Sequence, residues 1–102
     1  MNLWERYNPE QSLGGVLGEA LGMPLNGYSE KKLFEALKRH FTRKELRSWV
    51  LAQSGESPEA IAEAMETGID EVDTMLRKAT KKVRQPKLRQ AILALLPEEE
   101  EA

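Results

Sequence analysis

Cysteine is absent from the chain. Its absence excludes disulfides, zinc–thiolate sites and thiol nucleophiles, and it fits a reducing, cytoplasmic setting. Long apolar runs are also missing. The longest, Ala91-Ile92-Leu93-Ala94-Leu95-Leu96, is far short of the about 20 apolar residues that a membrane-spanning helix needs. The N-terminus, Met1-Asn2-Leu3-Trp4-Glu5-Arg6, lacks a basic stretch followed by an apolar one, so no secretory signal is read there. Strand-like alternation, a hairpin signal and internal repeats are all lacking. The single histidine, His40, sits beside Arg39 and reads as a residue closing a helix. No glycine-rich phosphate loop follows a strand, and no nucleophile–base–acid set can be assembled. Asp70 and Asp73 have no further ligands at metal-binding spacing. The sequence therefore predicts a non-enzyme, with no cofactor and no metal.

Charge is plentiful and unevenly placed. The 102 residues carry a formal net charge of −2. From Ser54 to Thr74 there are seven acids, Glu56, Glu59, Glu63, Glu66, Asp70, Glu71 and Asp73, and no Lys or Arg. From Met75 to Gln90 there are seven bases, Arg77, Lys78, Lys81, Lys82, Arg84, Lys87 and Arg89, and no acid. Glu98 to Glu101 form an acidic end. Such segregation bears on partners more than the net value does.

Helical periodicity runs through the remainder. Residues 1–28 hold Gly14, Gly15, Gly18, Gly22 and Gly27 with Pro9 and Pro24, and these breakers predict a partly ordered arm. Pro9-Glu10 offers a short helix with Leu13, Val16, Leu17, Ala20 and Leu21 on one side. Residues 29–96 predict a helical domain. Ser29 is an N-cap, followed by Leu33, Phe34, Leu37 and Phe41. Thr42-Arg43-Lys44-Glu45 fits a capping box ahead of a buried stripe of Leu46, Trp49, Val50 and Gln53. Ser57-Pro58 opens the next helix, with Ile61, Ala62 and Met65 inward. A turn at Glu66-Thr67-Gly68 leads to a helix ending near Arg84. Its apolar positions, Ile69, Val72, Leu76, Ala79 and Val83, fall within about 80° on a helical wheel. Trp4 and Trp49 read as packing residues. Beyond Pro86, Leu88, Ala91, Ile92, Leu95 and Leu96 form a last stripe. Residues 97–102 have almost nothing apolar to bury and are expected to be disordered. The sum is an all-α domain of four to five helices, with one core joining Leu33, Leu37, Phe41, Leu46, Trp49, Val50, Ile61, Met65, Val72, Leu76 and Val83.

Gly55-Glu56-Ser57-Pro58-Glu59-Ala60-Ile61-Ala62-Glu63 and Val72 to Arg84 together resemble the helix-turn-helix of LuxR-type and sigma-factor region-four domains. The resemblance covers Thr42 to Arg84, and the interval from Ile61 to Val72 matches without insertion. It implies a bacterial transcription protein whose second motif helix enters the DNA major groove. Carried onto this chain, Thr74, Arg77 and Lys78 lie nearest the groove, and Lys81, Lys82 and Arg84 nearest the phosphates. The chain departs from the family at Glu66, where glycine is usual, and at Asp73, where a base is common. Asp70, Glu71 and Asp73 suit the positive end of a helix but repel phosphates. Gly68-Ile69 and Pro86-Lys87-Leu88-Arg89-Gln90 are similar, more weakly, to the Trp repressor, which keeps dimerisation open. Double-stranded DNA is the expected partner. The alternative is the same fold used to dock on a protein such as RNA polymerase or another regulator.

Overall fold

Short polar residues start most of the helices. Asn2, Ser12, Ser29, Thr42 and Ser57 each accept a hydrogen bond from the backbone N–H three residues on, satisfying a donor that the helix itself leaves unpaired. The computed structural model describes residues 1–95, which form α1 (Leu3–Tyr7), α2 (Leu13–Leu21), α3 (Glu30–His40), α4 (Arg43–Gln53), α5 (Pro58–Met65), α6 (Ile69–Arg84) and α7 (Pro86–Leu93). There is no strand among these residues. Leu96 and the acidic end at 97–102 lie outside the described residues.

The caps expected at Ser29, Thr42 and Ser57 are all formed. At Thr42 the box is reciprocal: Glu45 N–H donates to Thr42 Oγ1 at 3.1 Å and Thr42 N–H donates to Glu45 Oε1 at 2.9 Å. Helix α6 begins at Gly68 without a side-chain cap, and Asp70 and Glu71 occupy its first turn instead. Their charge favours that end through the helix dipole.

Three helices close in one way. In α2 the N–H of Met23 reaches the Gly18 carbonyl at 3.0 Å, in α4 that of Glu56 reaches Leu51 at 3.2 Å, and in α5 that of Thr67 reaches Ala62 at 3.0 Å. A left-handed residue precedes each donor. Gly22 and Gly55 fill that position in α2 and α4, with φ of 67° and 95°. In α5 it is Glu66, at φ 54° and ψ 48°. Glu66 thus takes up the glycine conformation without being glycine.

Residues 1–28 do not behave as the arm expected from their glycines. They supply α1 and α2 and bury Trp4, Leu13, Leu17 and Leu25 in the main core. The helix expected from Pro9 starts at Leu13 instead, because Ser12 is its cap. Trp4 packs 5.6 Å from Trp49 between ring centroids, and Phe41 meets Trp49 edge-on at 6.3 Å. Asn8 and Gln11 bind this segment to the end of α4: Asn8 Nδ2 donates to the Val50 carbonyl at 3.4 Å, and Gln11 Nε2 to the Gln53 carbonyl at 2.8 Å.

The apolar interior has two parts. The main core joins α1, α2, α3, α4, α7 and the second half of α6 around Leu33, Leu37, Trp49, Val50, Val83, Leu88 and Ile92. A smaller one joins Leu51, Ile61, Ala62 and Val72 where α4, α5 and α6 meet. Met65 and Leu76 flank it, half-buried. The single core expected from sequence is therefore divided; Gln53, expected inward, is exposed, and Leu51 is buried on another side of α4. Ile69 is 49 % exposed. It stands at the first position of α6 and at the edge of the apolar arc, so its stripe membership does not bury it.

Candidate nucleic-acid interface

Helix α6 presents its two faces as its sequence dictates. Val72, Ala79 and Val83 are buried, with Met75 and Leu76 partly covered. Thr74, Arg77, Lys78, Lys81 and Arg84 are exposed. The structure thus brings five of the six predicted contact residues to the outer side of one helix and turns the sixth, Lys82, inward.

Lys82 lies on the flank of the wheel, next to α4. Its Nζ is 2.5 Å from Glu45 Oε1. The two side chains are only 29 % and 7 % exposed. Burial pushes the Glu45 carboxyl up. The Lys82 hydrogen bond, the Thr42 backbone N–H, the Lys82 charge and the Thr42 hydroxyl together outweigh that, holding it below the ordinary value of 4.5. Glu45 therefore serves twice, as the capping-box acid of α4 and as the anchor for α6. Lys82 braces two helices, and its charge is neutralised.

Two further predicted residues are engaged within α6. Arg77 Nε donates to Asp73 Oδ2 at 3.1 Å, and Arg77 Nη2 contacts the same oxygen. This pair is exposed, 75 % and 57 % for the two side chains, so water and salt screen it strongly. Thr74 Oγ1 donates to the Asp70 carbonyl at 3.1 Å. Lys78, Lys81 and Arg84 make no ion pair among the described residues. The acids cluster at the other end, where Glu71 accepts from the Thr67 hydroxyl. The outer face of α6 accordingly runs from acidic at its start to basic at its end.

A second cationic surface lies at the junction of α3 and α4. From Lys38 to Arg47 there are five Lys and Arg residues and one acid, Glu45. Lys38, Arg39, Arg43, Lys44 and Arg47 are all exposed, while Glu45 is buried against Lys82. The sequence signal was present as a charge run. Glu45 disguises it until its inward orientation is known. His40 Nδ1 lies 2.9 Å from the Ala36 carbonyl oxygen, an arrangement that places the proton on Nδ1 and leaves His40 as a helix-end residue. Arg89 of α7 donates to the Leu21 carbonyl at 3.2 Å, so it closes the end of α2.

Among the described residues, no group of three His, Cys, Asp or Glu is placed to hold a metal, and no helix is long and apolar enough to cross a membrane. No protein-family model, curated protein or solved structure matches the chain.

Proposed function

We propose that this chain is a cytoplasmic, transcription-associated protein that binds double-stranded DNA through α5, the Glu66-Thr67-Gly68 turn and α6, used as a helix-turn-helix. The observation that carries this reading is the second half of α6. Lys78, Lys81 and Arg84 stand exposed with no ion partner among the described residues, beside Arg77 in a screened pair, in a stretch from Met75 to Gln90 that has no acid. Cations so placed favour a phosphate backbone, and affinity should fall steeply as salt rises. The acidic start of α6 sets limits on which part of the helix approaches the duplex. Asp70 and Glu71 oppose phosphate at the first turn, so the basic half supplies the phosphate contacts.

That same acidic start favours a second reading, in which α5 and the first turn of α6 dock on a basic protein surface such as one on RNA polymerase or another regulator. A salt series with mixed-sequence duplex DNA distinguishes the two. A Lys78→Ala, Lys81→Ala, Arg84→Ala variant should bind more weakly, and its log–log salt slope should shrink by about one unit for each phosphate that is no longer neutralised. An intact chain that ignores DNA even at low salt would leave the docking reading as the better one.

A further inference from the structure

A groove of 760 Å³ opens between the end of α3, the start of α4 and the end of α5. Its floor is Phe34, Phe41 and Leu46, and half-exposed Leu3 and Met65 stand at its sides. Lys38, Arg43, Lys44 and Arg47 form its rim. All four are exposed. Among the described residues Glu66 is the one acid in the lining, at the α5 edge. We propose that this groove receives an acidic, amphipathic helical segment of a second protein.

The chemistry of the lining selects that occupant. The rim cations are not consumed by the fold: Lys38 makes one loose, exposed contact with Glu35 at 3.9 Å. Arg43, Lys44 and Arg47 have no ion pair among the described residues. This contrasts with Lys82, whose partner is built in. Four cations around an apolar trough complement a segment that carries carboxylates beside aliphatic or aromatic side chains. A helix offers both at once, with apolar residues at i, i+3 or i+4 and i+7 in the trough and acids along the flanks. A phosphate backbone matches the rim but leaves the apolar floor without a counterpart. A second copy of this chain fits less well. Among the described residues its exposed large apolar side chains are Met1, Ile69 and Leu93, which are far apart in sequence; Ile69 stands beside Asp70, and one isoleucine fills little of the groove. The surface is separate from the basic half of α6, so this proposal does not depend on DNA binding.

The test is selection from a display library of random peptides of about 15 residues, roughly four helical turns, on the intact protein. Enriched peptides should carry Asp or Glu between Leu, Ile or Phe at helical spacing. Bound peptide should perturb the amide resonances of Phe34, Phe41 and Met65. Affinity by fluorescence anisotropy should fall about tenfold or more in an Arg43→Glu, Arg47→Glu variant. It should also fall in Met65→Gln, with circular dichroism confirming that both variants keep their helices. Duplex DNA binding should survive the Arg43→Glu, Arg47→Glu change. The proposal is overturned if selection returns no acidic amphipathic peptides, or if their binding ignores the rim variant. It is equally overturned if sedimentation shows concentration-dependent self-association that Ile69→Asp abolishes, which would make a second copy the occupant. Loss of DNA binding in the rim variant, with DNA displacing the peptide, would make the groove a nucleic-acid surface instead.

Discussion

Glu45 of α4 and Lys82 of α6 meet at 2.5 Å in a partly buried position, and their pairing ties the end of α6 to the start of α4. Helix α4 is the element against which α6 packs most extensively. Glu45 is in turn held by both hydrogen bonds of the Thr42 box. Removing Lys82 should leave a buried carboxylate short of one charge-assisted hydrogen bond. A Lys82→Ala variant is therefore expected to lose about 2 kcal/mol in chemical denaturation, while Lys81→Ala, a few ångströms along the same helix but in solvent, should lose almost nothing. Equal losses in the two variants would show that the Glu45 contact contributes little.

The same carboxylate should leave a mark on acid unfolding. Its folded value lies below the ordinary 4.5, so the unfolded chain takes up its proton first as pH falls. The stabilisation is fully present above the unfolded value and is lost as pH drops through the lowered folded one. Glu45→Gln should cost stability at neutral pH and should show a shallower decline than the parent below about pH 5. Parallel stability–pH curves for the two proteins would contradict this assignment.

Helix α5 ends on Glu66 in the left-handed region, where α2 and α4 use Gly22 and Gly55. A side chain at that φ meets the backbone at a cost of about 1 kcal/mol or more. Glu66→Gly should therefore raise stability by roughly 1 kcal/mol, since the closing hydrogen bonds from Glu66 and Thr67 are backbone groups and survive. Gly55→Ala should move stability the other way. A Glu66→Gly variant no more stable than the parent would mean that the Glu66 carboxylate compensates for the strained backbone.

Much of the architecture from Ser29 onward was legible because caps are local. Thr42 and Glu45 are three residues apart, and Ser57-Pro58 announces its helix within two positions. The start of the chain was opaque for the converse reason. Glu30 reaches back from α3 to accept from Leu13 N–H at 2.6 Å and Gly14 N–H at 2.8 Å, the unpaired donors at the start of α2. Asn8 and Gln11 find their acceptors in α4, 42 residues on. Gly14 looked like a helix breaker, yet it allows this approach: a Cβ there would stand 3.1 Å from Glu30 Oε2. Lys82 could not be told from its basic neighbours by the wheel, because its flank position becomes inward only through Glu45.

Glu30→Ala should thus act on α2 rather than on its own helix. Two charge-assisted hydrogen bonds disappear, and about 2 kcal/mol of stability should go with them. Amides of α2 should exchange faster with solvent, while those of α5 and α6 change little. Uniform acceleration across all helices would indicate that residues 1–28 unfold only with the whole protein. Unchanged exchange in α2 would remove Glu30 from the account.

On the proposed DNA surface, Asp73 is the residue whose removal has the sharpest consequence. It adds a negative charge to the outer side of α6, and it holds Arg77 through Nε and Nη2. Asp73→Asn removes the repulsion of phosphate and releases the guanidinium from its strongest competitor. Both effects have the same sign. Nonspecific duplex binding should strengthen, and the salt slope should steepen by about one unit as Arg77 becomes an additional phosphate ligand. Asp73→Lys should go further in affinity. Folding should be little affected, because the pair is exposed and screened. The informative control is the combination of Asp73→Asn with Arg77→Ala. It still relieves the repulsion but has no guanidinium to offer, so the affinity gain should shrink and the slope should return to the parent value. If the double variant keeps the steeper slope, Arg77 is not the group that reaches the backbone. If Asp73→Asn leaves both affinity and slope unchanged, the first half of α6 stays away from the duplex, and binding is confined to Lys78, Lys81 and Arg84.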